Sequence, residues 1–340
     1  MELSIVDISP VRAGKTATDA YADTLALAQR ADELGYHRYW VAEHHGLANS
    51  VASTTPEVLI PYIVAKTDRI RVGSGTVLLN HYSPFKVAET FSVLDALAPG
   101  RIDLGVGRAT GDPVVDRALQ AGVPLHQADL DHAEKIERTA RHVFGEFPPD
   151  HPYSDIDLPR SAESRPEFWV LGSSPTSAAI AGDLGLPYAF AAFIRPSLAH
   201  EACTTYHERF AASPFDAGLE APQCMLAINL ACADTDEAAA RLRAPAEAAY
   251  QRMARGTFGP PATIEEAIEE LGGTPEPTPS TLDSEAWPRA ISGSPDTVAH
   301  LLNDMTDEIG ADEVIIQNTI ENPSDRIRSH ELLADAMDLG

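Results

Sequence analysis

Short apolar runs alternate with longer amphipathic runs along almost the whole chain. The short runs have the length of buried strands, and the longer ones carry apolar residues at helical spacing. The pattern predicts eight strands, at 3–8, 38–42, 71–79, 101–107, 167–171, 187–193, 224–233 and 313–318. Helices are predicted between nearly all of them. One runs over 18–35, where Gly35 is a typical C-terminal stop.

This alternation of strands and helices predicts a parallel sheet covered by helices. Eight repeats in 340 residues favour an α/β fold of the closed (β/α)8 TIM barrel type, with residues 1–340 forming a single domain. A doubly wound open sheet is the alternative. Two segments rich in proline and small polar residues, at 146–166 and 256–290, interrupt the alternation of strands and helices. Loops of this length are typically functional lids or disordered.

Composition narrows the classes of partner. The formal net charge is −26, which disfavours nucleic acid and anionic membrane surfaces because both are themselves negatively charged. Cys203, Cys224 and Cys232 include no Cys-x-x-Cys, so neither a disulfide framework nor a thiolate zinc site is expected. The N-terminus does not have the pattern of a signal peptide, and no apolar stretch is long enough to span a membrane. We therefore expect a cytoplasmic protein.

Polar residues follow directly after the second predicted strand, in the run Trp40-Val41-Ala42-Glu43-His44-His45. Parallel α/β folds place their chemistry at the carboxyl ends of strands, and a histidine is suited to general base catalysis near neutral pH. A structural histidine, hydrogen-bonded at the barrel rim, is the alternative. Because neighbouring side chains on a strand point apart, His44 and His45 do not favour a shared metal ion, and no metal site is expected.

The ends of the fourth and fifth predicted strands suggest an anion site. Arg108 follows Gly105-Val106-Gly107, and a guanidinium fork suits phosphate, although pairing with a carboxylate is the alternative. Next comes the run Leu171-Gly172-Ser173-Ser174-Pro175-Thr176, in which hydroxyl groups stand where a helix begins. Such a start binds anions, or Ser174 simply caps the helix. Both segments would face one ligand in a barrel, which favours phosphate. A similar start at Ser292-Gly293-Ser294 is interpreted mainly as capping.

In this order, these segments resemble the luciferase-like flavin-dependent monooxygenases, the superfamily of bacterial luciferase. The resemblance rests on residues 40–45, 71–76, 94–108, 171–174 and 292–295 and extends over roughly 2–335. It implies a (β/α)8 barrel that binds reduced FMN, or the deazaflavin F420 in one branch. It also implies a small organic substrate, a separate flavin reductase and a homodimer formed through helices near the early strands.

The resemblance assigns roles to individual residues. Arg108, Ser173 and Thr176 would hold the FMN phosphate, within the loop that includes Gly172 and Ser174. His44 would be the catalytic histidine beside the isoalloxazine ring, and Gly75 and Thr76 would run along that ring. Residues 256–290 would form a mobile lid. Gly172 stands where luciferase has a carboxylate, so light emission is not implied.

Three functions remain open from the sequence. The leading one is an FMN-dependent monooxygenase that uses O2 to oxidise a small organic substrate. The second is an F420-dependent oxidoreductase that transfers hydride, and the third is a flavin-binding protein without catalysis.

Overall fold

Eight parallel strands close into a barrel in a computed structural model that describes residues 1–47, 49–108, 113–120, 131–215, 219–257 and 261–339. The strands are β1 Glu2–Asp7, β2 Arg38–Val41, β3 Arg71–Leu78, β4 Ile102–Gly107, β5 Glu167–Gly172, β6 Tyr188–Ala191, β7 Cys224–Cys232, β8 Ala290–Gly293 and β9 Glu313–Gln317. Going round the barrel, β1 to β7 are followed by β9, which pairs again with β1. The predicted (β/α)8 barrel is confirmed, and the open sheet is wrong.

Helices surround the barrel, and the apolar spacing predicts those that the structure describes except the two short ones at Pro113–Gln120 and Ile264–Leu271. The helices are α1 Ala17–Leu34, α2 Pro56–Val64, α3 Pro84–Leu97, α4 Pro113–Gln120, α5 His132–Phe144, α6 Pro175–Asp183, α7 Ala199–Arg209, α8 Asp236–Ala254, α9 Ile264–Leu271, α10 Pro295–Ile309 and α11 Pro323–Ala336. Local signals set their ends: Thr16 and Asp19 form a capping box at the start of α1, and Gly35 ends it at a φ of 85°. None of the described helices is both long and apolar enough to cross a membrane.

Aromatic side chains fill the barrel interior. Trp40 and Trp169 pack edge to face with their ring centroids 6.4 Å apart, and both are buried. Glycines make room for them, since a Cβ atom on Gly75 would lie 2.9 Å from the Cβ of Trp40. Below this layer, at the amino ends of the strands, Arg38 pairs with Asp103 at 3.0 Å and with Glu313 at 3.1 Å. Burial raises the pKa of Glu313 to about 7.

The ninth strand, β8, is the main departure from the predicted pattern. The first half of β7 pairs with β6 and β9, whereas its last four residues pair with β8. Ser292 and Gly293 therefore end strand β8. Ser294 is the N-cap residue of α10, but its side chain makes no capping hydrogen bond, so the predicted side-chain cap is wrong. Asp236 accepts from the Ser294 N–H at 2.7 Å instead.

A segment of 233–294, which we call the insertion, joins β7 to α10 and contains α8, α9 and β8. The predicted lid at 256–290 is part of it, with 258–260 outside the described residues. Its later part packs on the barrel: Trp287 donates from Nε1 to Glu308 on α10 at 3.0 Å, and the Ser292 N–H donates to Thr278 at 2.8 Å. The segment 146–166, which also interrupts the predicted pattern, contacts α3, because the Ser164 hydroxyl donates to the Asp95 carboxylate at 2.8 Å.

Candidate active site

The carboxyl ends of β1, β2 and β9, together with helix α8, enclose a cavity of about 360 Å³. We call it the mouth cavity. His44 lies on its wall, and α8 contributes Tyr250 and Met253. The volume falls within the range of small-molecule sites, which are mostly apolar with a few polar groups. The position is the one that barrel enzymes use for catalysis.

His44 follows the end of β2 and is positioned by its backbone, whose N–H donates to the Ser53 carbonyl at 2.9 Å. The His44 side chain is exposed and lies on the wall of the mouth cavity. Desolvation by the protein atoms around the ring, followed by the neighbouring charge of His45, lowers the pKa of His44. The ring is therefore neutral at neutral pH and able to accept a proton, as the base interpretation requires.

Glu43 and His45 form a separate cluster on the side of β3. The buried Glu43 carboxylate accepts from the Leu78 N–H at 2.9 Å and from the Tyr82 hydroxyl at 2.6 Å. The His45 Nε2 lies 2.6 Å from the same carboxylate. The three consecutive residues therefore have separate surroundings. Glu43 and His45 form a hydrogen bond beside β3, whereas His44 lines the mouth cavity.

Gly75 and Thr76 lie at an irregularity of β3. The register with β4 shifts between Ser74 and Val77, and the Gly75–Thr76 peptide is cis. The Thr76 hydroxyl donates to the Val77 carbonyl at 2.8 Å. A Cβ atom on Gly107 would lie 2.9 Å from this hydroxyl oxygen and 2.9 Å from the Leu171 carbonyl. The ends of β3, β4 and β5 therefore converge around these residues.

Arg108 leaves β4 beside the end of β5. Val106 pairs with Val170, so Arg108 lies level with Gly172, one strand spacing away. The guanidinium is exposed and forms no ion pair with a carboxylate of the described chain. Burial and the charge of Arg108 lower the pKa of His132 to about 4, so that ring adds no competing charge.

The loop after β5 supplies hydroxyl groups at the start of α6. Ser174 caps the helix weakly, accepting from the Ser177 N–H at 3.4 Å, as the capping alternative predicted. Ser173 and Thr176 are not used in this way, since their hydroxyls make no hydrogen bond within the described residues. Gly172 is required for close packing, because a Cβ atom there would lie 2.1 Å from the Ser177 hydroxyl oxygen. Arg108 thus follows the end of β4, and Ser173 and Thr176 follow the end of the neighbouring strand β5.

Sequence reasoning missed the contribution of α8 to this site. Tyr250 lines the mouth cavity and receives a hydrogen bond from the side chain of Asn229, in the second half of β7. Arg289 lies over its ring, 5.0 Å from the centroid. Only the position of α8 in the chain could have predicted this contribution, because α8 directly follows β7 and segments that follow a barrel strand lie at the mouth. Gln317, at the end of β9, was missed in the same way.

A family model for luciferase-like monooxygenase matches residues 1–313. The chain belongs to this family. The resemblance drawn from the sequence is thereby confirmed.

Relatives of the same family match over nearly the full chain. An N-acetyl-S-alkylcysteine monooxygenase of Bacillus subtilis (strain 168) is 36% identical over 99% of this chain and 98% of its own length. A luciferase-like monooxygenase of Escherichia coli (strain K12) is 34% identical over 98% and 96%. The crystal structure of apo-MsnO8 has a TM-score of 0.86 at 38% identity, covering 100% of this chain and 99% of that chain.

Proposed function

We propose that this chain is a flavin-dependent monooxygenase that uses reduced FMN and O2 to oxidise a small organic substrate. The observation that carries the proposal is the pairing of two features at one barrel mouth. The exposed Arg108 follows β4 at the level of the loop after β5 that carries Ser173 and Thr176, and the neutral His44 lines a cavity at the same mouth. The monooxygenase names of relatives at 34–36% identity support oxygen chemistry.

The residues at the ends of β4 and β5 fit the phosphate of FMN. Arg108 would donate to it as a fork, while Ser173 and Thr176 would donate their hydroxyl protons. The first backbone N–H groups of α6 add the positive end of the helix dipole. Gly75 and Thr76 would lie along the ring system.

His44 would act at the other end of the cofactor. When bound, reduced FMN supplies the two electrons with which one oxygen atom of O2 enters the substrate and the other leaves as water. The neutral imidazole would hold or move a proton beside the reacting centre. The walls of the mouth cavity, including Tyr250 and Met253 of α8, would exclude bulk water, and residues 256–290 would close over them as a lid.

The test is an anaerobic titration of the purified chain with reduced FMN and, in parallel, with reduced F420. Oxygen consumption and transfer of ¹⁸O from ¹⁸O2 to a panel of substrates are then measured with a flavin reductase supplying reduced FMN. Tight binding of reduced FMN and ¹⁸O transfer that His44→Gln abolishes would support the proposal. A preference for F420 without oxygen use would indicate hydride transfer. Flavin binding without any turnover would indicate a non-catalytic protein.

We also propose that the single-domain barrel of residues 1–340 forms a homodimer through α2 and α3. These helices contact each other and leave large apolar side chains exposed. On α2 these are Val58 and Tyr62, and on α3 they are Val93 and Leu97, of which Leu97 is 73% exposed. Each pair is spaced by four residues and so lies on one helix face. Such an adjoining pair of apolar faces is typical of a subunit interface.

A further inference from the structure

The walls of the mouth cavity are mainly apolar. Side chains of the loops after β1, β2 and β9 combine with those of α1, α8 and α11; they include Ile8, Leu27, Leu47, Val51, Ile320 and Ile327. By comparison with a cavity of ~150 Å³ that holds benzene, about 360 Å³ accommodates roughly 14 non-hydrogen atoms. An apolar molecule of that size would gain free energy from leaving water.

Every arginine on this wall is already paired with a carboxylate. Arg12 binds Asp23 at 2.8 Å, with both side chains about one quarter exposed. Arg326 binds the buried Asp7 at 2.9 Å, and Arg252 binds Glu270 at 3.0 Å. No cation on the described part of the wall is therefore left to receive an anionic ligand.

The remaining polar groups of the wall are neutral or negative. The pKa of His44 is lowered, so its ring is uncharged at neutral pH. The Gln317 carboxamide lies on the wall and makes no hydrogen bond within the described chain. Glu321 also lies on the wall without an ion pair to the described residues. An organic anion would therefore lose hydration and meet arginines whose charges are already balanced by carboxylates, with Glu321 as an additional acidic group.

We propose that the mouth cavity takes an uncharged, mainly apolar substrate with one hydrogen-bonding group, which meets Gln317 or His44, and that it excludes organic anions. This assignment rests on the proposed function, because it treats the cavity beside His44 as the substrate site. The paired arginines determine the selection for charge, and the volume determines the size.

The experiment uses three probes with the same alkyl chain: decan-1-ol, decanoate and decylammonium. Their binding to the full chain without flavin is measured by isothermal titration calorimetry at pH 7.5, below their aggregation concentrations. We expect decan-1-ol to bind at least tenfold more tightly than decanoate and more tightly than decylammonium. Equal or tighter binding of either ion would overturn the proposal.

Two pairs of variants localise the binding and test the role of the arginines. Ala249→Phe adds bulk to the cavity wall and should abolish decan-1-ol binding, whereas Ala254→Phe, on the same helix but off this wall, should leave it unchanged. Asp23→Asn frees Arg12 and should improve decanoate binding about fivefold. Arg12→Gln frees Asp23 and should improve decylammonium binding by a similar factor. Unchanged binding in Ala249→Phe, or the same probe preference in both charge variants, would overturn the assignment.

A failure of this assignment can be distinguished from a failure of the proposed function. Because the probes are measured without flavin, charge selection can fail while reduced FMN still binds and reacts with O2. Conversely, decan-1-ol can bind as expected in a chain that binds no flavin. The two titrations therefore identify which proposal has failed.

Discussion

Replacing Arg108 by alanine tests the phosphate site most directly. The guanidinium is exposed, free of ion pairs with described carboxylates, and level with the hydroxyl-bearing loop after β5. A hydrogen bond to a charged group contributes about 1.5–3 kcal/mol. Exposure to solvent places this contact in the lower part of that range, so we expect Arg108→Ala to cost about 2 kcal/mol. That is about a thirtyfold loss of affinity for reduced FMN.

The assay is an anaerobic fluorescence titration with reduced FMN and with reduced riboflavin, which lacks the phosphate. Arg108→Ala should weaken FMN and leave riboflavin unchanged. Arg108→Lys keeps the charge but not the fork, and should lose about fivefold. Arg328→Ala serves as a matched control, because it removes an exposed arginine from α11 on another side of the barrel.

Either of two results would refute the phosphate-binding role of Arg108. Unchanged FMN affinity in Arg108→Ala would show that this guanidinium does not meet the phosphate. An equal loss for FMN and riboflavin would show that Arg108 supports the ring or the fold instead. Raising the salt concentration should narrow the difference in affinity for reduced FMN between wild type and Arg108→Ala, because salt screens an exposed contact between the guanidinium and the phosphate.

The roles of His44, His330 and Leu97 can each be tested by one measurement. Because the pKa of His44 is lowered, kcat/KM should fall only as the pH falls below about 6.5; a pH-rate profile with an acid limb above that value would contradict this. Burial, followed by the charge of Arg326, lowers the pKa of His330 to about 3, so the folded state loses stability as the pH falls from the unfolded value toward the folded one. Between pH 7 and pH 4.5, urea unfolding should show that wild type loses about 3 kcal/mol more than His330→Gln, and equal losses would refute it. Leu97→Asp should give a monomer in light scattering, while Ile156→Asp, a control at another exposed apolar position, should not; a wild-type monomer would end the dimer proposal.

The fold was predictable because its pattern is repeated and local. Each barrel strand is a short apolar run and each following helix has its own boundary signals, as Thr16 and Gly35 show for α1. Strand β8 was not predictable, because Ala290–Gly293 is four residues long and contains serine and glycine. It is a strand only because the end of β7 offers it a partner. Tertiary pairing decided the structure there, not intrinsic preference.

The parts of the candidate site that directly follow strands were predictable. The parts that depend on which face of a helix packs against the barrel were not. His44, Arg108 and the loop from Gly172 to Thr176 stand at strand ends, and the structure places them at one mouth. Their contacts with flavin stay predictions. The division of Glu43 from His44 and the presence of Tyr250 on the cavity wall depend on rotation and packing, which one sequence does not contain. The pairing of Arg12 with Asp23 likewise depends on packing and could not be predicted from the sequence.

The two ends of the insertion lie side by side on the barrel. The Ala233 N–H donates to the Gly293 carbonyl at 3.1 Å, so the chain leaves and re-enters the barrel at almost the same point. A segment anchored in this way is an exchangeable module: its length and sequence can change in evolution without moving the strands that carry His44 or Arg108. Chimeras that exchange residues 234–292 between relatives would therefore transfer the α8 wall of the mouth cavity while keeping the rest of the barrel intact.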